Sequence, residues 1–228
     1  MLYSYSYMKT ITIPTTNINY TVSDDWQDMP PEPEQSPNTV TFNIIGQGYR
    51  GAMAVQTIEQ NTAMPFGKDE DVIATIHERG IDDQSGLLAI KSVTSPKRVQ
   101  FVYSLFKRLI PQDKGGGVMY TLTIYIRGDN TAYQIQSMIG EYGMTGMRDS
   151  VILTQMLSEG KVTMVPESEG QQPKMQGWSS DPYDPSFTKG VPMNLSENEE
   201  YDAQFPNHPL SVIRKLLREV TETIGNGQ

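Results

Sequence analysis

The chain has 228 residues, 37% of them hydrophobic, enough for one large domain or one domain with an appendage. A formal net charge of −9, with no basic run longer than two residues (Lys97-Arg98, Lys107-Arg108, Arg214-Lys215), disfavours nucleic acid and anionic membranes as partners. The absence of cysteine excludes disulfides, thiolate nucleophiles and cysteine-ligated metals, and accords with a reducing, cytoplasmic setting.

Residues 1–7 (MLYSYSY) lack the basic and apolar regions of a signal peptide and are expected to form a flexible extension, with Met8 as an alternative start. No stretch approaches the roughly 18 apolar residues of a membrane span. Alternating runs at 9–13 (KTITI) and 17–22 (NINYTV) predict two strands, closed by Asp24-Asp25-Trp26. Four prolines make 28–38 a loop.

Residues 39–45 and 50–58 flank Gly46-Gln47-Gly48 and predict a hairpin. A connection over 59–68, containing Pro65 and Gly67, leads to a short helix over 70–79. Asp69 is its expected N-cap and Gly80 its stop. Strands are predicted at 86–93, 98–109, 118–126 and 131–139. In the third of these, Val118, Tyr120, Leu122, Ile124 and Ile126 share one face and Met119, Thr121, Thr123 and Tyr125 the other, the period of a half-buried antiparallel strand. Short turns between the four make a meander.

A helix over 146–157 follows, with Thr145 as its expected cap. Residues 166–192, rich in Pro, Gly, Ser and Asp, read as irregular. Ser196 and Glu199 have the spacing of a capping box and predict a short helix near 197–203. Pro209 and Gly225 bracket a last helix over about 209–224. Its Leu210, Ile213, Leu216, Leu217, Val220 and Ile224 fall in a stripe of roughly 120°, with Arg214, Lys215, Arg218 and Glu222 opposite. That face must dock on something. Docking on its own domain is favoured, giving a monomer, and a dimer through this helix is the alternative. The expected organisation is an extension at 1–7, an α+β domain at 8–165 and a C-terminal appendage at 166–228.

Three features carry a resemblance. They are the opening hairpin from Ile11 to Trp26, the antiparallel strands of 86–139, and the turn Glu141-Tyr-Gly-Met-Thr-Gly-Met-Arg148 into a helix. Over about residues 8–157 the chain resembles the PsbP-like fold, an antiparallel sheet meander with helices packed on it. Tyr103-Ser104, Tyr120-Thr-Leu-Thr, Gly143 to Asp149, Asp181-Pro-Tyr-Asp-Pro185 and Tyr201 to Ser211 also look similar to short hypothetical proteins of anaerobic gut Firmicutes. No activity is implied by those proteins, and the better-known members of the fold are binding or assembly factors.

The chemistry-bearing residues are few. The two histidines, His77 and His208, lie far apart, and no motif makes either a ligand or a base. His77 is expected to be structural and His208 to help cap the last helix. The string Arg127-Gly-Asp-Asn130 is turn chemistry between strands. Gly115-Gly-Gly117 precedes a strand and lacks the Lys-Ser/Thr of a phosphate loop. Asn194-Leu-Ser196 spells a glycosylation sequon only.

Asp181 and Asp184 sit in a proline-stiffened loop, too poor in ligands for calcium, that Trp178, Tyr183 and Phe187 would strap to the surface. In Gly143 to Asp149, glycines beside a helix N-terminus could present free amides to an anion, with Arg148 adding charge. The same glycines suit a tight turn, with Arg148 paired to Asp149 or Glu141.

The residues kept as possible binding positions are Glu141, Gly143, Gly146, Arg148, Trp178, Asp181, Tyr183 and Asp184. No catalytic residue, metal or cofactor is expected. The sequence favours a non-catalytic bacterial cytosolic protein that binds another protein, an immunity protein facing a basic toxin being one version. The alternative is a small-molecule or enzymatic pocket between sheet and C-terminal segment, built from carboxylates and arginine.

Overall fold

A computed structural model of the chain describes residues 7–59, 66–128, 131–166 and 174–227. The expected extension therefore lies outside the described residues except for Tyr7, as do Pro65, Asp129, Asn130 and 167–173.

The centre is a seven-stranded antiparallel sheet. Its strands are β3 (Gln27–Asp28), β4 (Thr39–Gly46), β5 (Tyr49–Glu59), β6 (Ser85–Thr94), β7 (Gln100–Leu109), β8 (Val118–Arg127) and β9 (Thr131–Glu141), in the order β3-β4-β5-β9-β8-β7-β6. The chain runs outward-in through β3, β4 and β5. It then crosses by α1 (Asp69–Thr75) to the far edge and returns as the predicted meander, β9 closing against β5. β1 (Met8–Thr12) and β2 (Ile18–Ser23) form the opening hairpin but stand in a separate small sheet with β12 (Gly225–Asn226).

Period-two patterning decides the faces. Register places Tyr120 opposite Ile139 and Ile124 opposite Ile135, so these four share one face with Met53, Val55, Phe101 and Leu105. On that face lies α3 (Pro209–Thr223), with Leu210, Ile213, Leu216 and Val220 buried in the same core as the sheet. Burying each such side chain is worth about 1.5–3 kcal/mol, so residues on both sides of 165/166 hold one core together. Tyr20 and Val22 of β2 complete it, and the Thr223 hydroxyl accepts from Thr21 N–H. At the β6–β7 end of the opposite face, α1 and the turn that follows it cover Leu87, Ile90 and Val102 with Val72 and Ile76.

Several local expectations are corrected. The helix at 70–79 is α1 followed by a π-helical turn over Ile76–Gly80, and its N-cap is Lys68. Asp69 does not cap, because its carboxylate accepts from Ser92 N–H and Oγ–H on β6. α2 (Met147–Ser158) is capped by Gly146, not Thr145. Gly146 has φ 71°, a left-handed value that a side chain rarely adopts.

The segment 166–192 is not wholly irregular: β10 (Thr163–Val165) pairs with β11 (Lys174–Gln176). The capping box at Ser196 and Glu199 is displaced by two residues. Asn194 Oδ1 accepts from Ser196 N–H, and Glu197 Oε2 accepts from Asn194 N–H. The box opens 3₁₀ turns at Leu195–Glu197 and Glu199–Tyr201 in place of a helix over 197–203. Ser196 cannot cap because its hydroxyl is held by Asp149. Arg214 is buried, not on the solvent face, since Asp202 and the Glu197 carbonyl take up its guanidinium.

Candidate functional site

The eight residues kept from the sequence fall into two groups. Trp178, Asp181, Tyr183 and Asp184 build a structural strap. Trp178 packs on Ile152, Met156 and Val162. Asp181 is buried; its Oδ1 accepts from the N–H groups of Tyr183 and Asp184, and its Oδ2 lies 3.2 Å from His77 Nε2. The Tyr183 hydroxyl accepts from Ile90 N–H and donates to Ile90 O, satisfying part of the free edge of β6. Phe187 stacks on His77 with ring centroids 4.0 Å apart. Asp184 caps its own turn by accepting from Ser186. These carboxylates serve backbone amides, which leaves no calcium-like array. Among the described residues no group of three or more His, Asp or Glu is placed to hold a metal ion.

Glu141, Gly143, Gly146 and Arg148 meet elsewhere, at the turn from β9 into α2. β9 carries Glu141 opposite Tyr49 at the tip of the β4–β5 hairpin, and Tyr142 N–H donates to Gly48 O. Gly143 (φ 83°) and Gly146 turn the chain into the helix. The tight turn is stitched by Glu141 itself: Oε1 accepts from Gly146 N–H at 2.8 Å and Oε2 from Val118 N–H at 3.1 Å. The Gly146 amide, one of those expected to face an anion, is thus taken by the protein's own carboxylate.

Arg148 pairs with neither Asp149 nor Glu141. It is 1% exposed, and all of its N–H groups are used within the fold. Nε donates to Ser196 O, Nη1 to Asp202 Oδ1 and Ser211 Oγ, and Nη2 to Asn198 O and Asp202 Oδ1. Asp149 instead turns to Ser196 and Asn194. The chain neighbours expected as partners are passed over. The carboxylate that serves Arg148 comes from the 3₁₀ region leading to α3. Beside it Lys107 Nζ donates to Glu197 Oε2 at 2.6 Å, and the Tyr120 hydroxyl donates to Glu197 Oε1 at 3.2 Å. This network joins α2, the 194–202 segment, α3 and the sheet.

In front of the network lies a cleft of about 440 Å³. Tyr142, Met144 and Met147 line it from the β9–α2 turn, Phe205, Pro206 and Pro209 from the segment entering α3, and Glu141 and His208 line it as well. The rim is unusually apolar. Tyr142 is 54% exposed, Met144 73% and Met147 50%, and Val151, one helical turn beyond Met147, is also exposed. The Arg50 guanidinium sits over the Tyr142 ring at 4.7 Å and holds it against the hairpin tip.

His208 was not among the binding positions chosen from the sequence. As expected, it caps α3: Nδ1 accepts from Leu210 N–H. Its ring packs edge-on against Tyr120. Burial, then the nearby Arg148 and Arg214 charges, push its pKa down to about 3. Burial raises the Glu141 carboxyl above its usual range, against the pull of the two amides it accepts from. His208 Nε2 and Glu141 Oε1 stand 3.8 Å apart. The signal that could have found His208 was its place before Pro209, one residue outside a helix that must dock beside β8.

No family model and no curated protein matches the chain. Among solved structures it is similar to the Saccharomyces cerevisiae Ran-binding protein Mog1p, at 9% identity over 97% of this chain and 96% of that one, with a TM-score of 0.46. It is also similar to the PsbP protein CyanoP of Synechocystis, at 9% identity over 69% and 92% with a TM-score of 0.38. A Pseudomonas aeruginosa protein of unknown function matches at 12% identity over 71% of this chain and 99% of that one, with a TM-score of 0.34. The chain has the α+β class, antiparallel sheet and packed helices read from the sequence, and PsbP and Mog1 structures are among those it is similar to.

Proposed function

We propose that this chain is a non-catalytic binding protein whose protein partner docks on the rim of the Glu141–His208 cleft. One observation carries the reading. Tyr142, Met144 and Met147 lie within six residues, all at least half exposed, at the turn from β9 into α2 that Glu141 stitches. Soluble proteins leave such clusters in water mainly where something covers them, and methionine adapts well to a partner's surface. The pocket of carboxylates and arginine weighed as an alternative lacks its free cation, since Arg148 is saturated. The net charge of −9 supports a basic target, as in the immunity-type version, and the absence of cysteine supports the bacterial cytosol as the setting.

The test is capture from a lysate of the native host, with wild type and the Met144→Ser/Met147→Ser double variant compared by mass spectrometry. A protein retained by wild type and lost by the variant, with thermal melts of the two alike, is the expected result. Equal capture by both would remove this surface from consideration.

A further inference from the structure

The cleft has a polar floor of a particular kind. The Glu141 and His208 side chains are only 5% and 10% exposed, yet both face the cavity. His208 Nδ1 accepts from Leu210 N–H, so the ring proton of the neutral imidazole is on Nε2. That N–H is a donor. Glu141 Oε1 accepts one amide, from Gly146, and has a second lone pair. The two atoms stand 3.8 Å apart, too far to bond each other well. A donor and an acceptor thus lie side by side on the floor of the cleft, the donor unanswered by any protein acceptor and the acceptor with one lone pair to spare.

Neither simple ionic ligand answers both groups. A carboxylate entering the cleft would meet Glu141. An ammonium could donate to Glu141 but would also meet the His208 Nε2–H, a donor that it has no lone pair to answer. The group that suits the floor is neutral and carries an acceptor beside a donor. A primary carboxamide does so with its C=O and NH₂, about 2.2 Å apart by standard amide bond lengths. Its oxygen would accept from His208 Nε2–H while its nitrogen donates to Glu141 Oε1. Phe205, Met144 and Met147 would cover the aliphatic stem behind it.

We infer that the partner inserts a carboxamide side chain, glutamine or asparagine, into this cleft and pairs it with His208 and Glu141; this rests on the reading of the rim as a docking surface. A buried donor–acceptor pair of this type discriminates sharply, because a side chain that cannot answer both groups leaves them desolvated and unpaired.

The test uses full-length protein labelled with ¹³C at its methionine methyls and three capped pentapeptides, Ala-Leu-X-Leu-Ala, with X as glutamine, glutamate or methionine. The expected result is saturable shifts of the Met144 and Met147 methyl signals by the glutamine peptide, at five-fold or more higher affinity than by the other two. His208→Asn keeps an oxygen to cap α3 but removes the ring N–H, and should erase that preference while leaving the weak binding of the methionine peptide. Equal affinities for all three peptides would overturn the carboxamide and leave the apolar rim as a docking surface. No shift with any of them up to millimolar concentration would overturn both.

Discussion

Arg148 and Asp202 are 54 residues apart in the chain and meet through two hydrogen bonds of 3.0 Å from Nη1 and Nη2 to one carboxylate oxygen. Arg214 reaches the same oxygen, also at 3.0 Å. The pair ties the first turn of α2 to the segment that launches α3, and so sets the two walls of the cleft. Removing one partner of a buried pair costs about 3–5 kcal/mol, because the other is left charged and desolvated. Arg148→Met should therefore lower stability by that order in urea denaturation. Adding Asp202→Asn should deepen the loss, since buried Arg214 then faces a neutral amide in place of its carboxylate. A single variant within about 0.5 kcal/mol of wild type would show that the pair does not hold the walls.

The titration of His208 gives a pH dependence of known sign. Its folded pKa lies near 3, against 6.5 for the free side chain. Between those values the unfolded chain binds the proton and the folded one does not, so stability falls as pH drops below about 6.5. Glu141 and Glu219, whose carboxyls are raised by burial, act in the opposite sense. They favour the fold at low pH and lose that contribution as pH rises through their folded pKa. A comparison with His208→Asn separates the two. Between pH 7 and pH 5 wild type should lose about 2 kcal/mol more than the variant, at roughly 1.4 kcal/mol per pKa unit. Parallel stability curves for the two proteins would mean that the imidazole is not held neutral.

Gly143 and Gly146 have φ of 83° and 71°, and a Cβ at either would meet nothing within 4 Å. The cost of Gly→Ala at these positions is therefore backbone strain alone, about 1 kcal/mol each. Thermal melts should show both variants destabilised by similar amounts with the fold intact. Melts that match wild type would mean the glycines are not required by the turn.

Leu216 is 1% exposed in the sheet core, whereas its neighbour Leu217 is only partly buried against it. Leu216→Ala should cost about 2–5 kcal/mol, and Leu217→Ala clearly less. Equal losses on denaturant unfolding would contradict the docked orientation of α3.

How much of this was legible in the sequence follows from the range of the interactions. The strands expected at 118–126 and 131–139, which run to Arg127 and Glu141, were readable because a period of two reports which face is buried without reference to any other element. The last helix was readable for the same reason: six apolar residues on one stripe require cover, and the β8–β9 face supplies it. His208 could be placed as a cap from the Pro209 beside it.

Only the tertiary structure decided the rest. It placed the opening hairpin in a sheet of its own, took Asp69 and Ser196 out of their caps, and matched Arg148 with Asp202 rather than with Asp149. For Ser196 and Arg148, buried polar side chains with local partners available took distant ones, because a buried charge or hydroxyl is stabilised most where packing has excluded water and fixed the geometry. The cleft belongs to that second class. Glu141 and His208 are 67 positions apart in the sequence, and no periodicity brings them together. They share one cavity because α3 docks beside β8 and carries its N-cap to the end of β9.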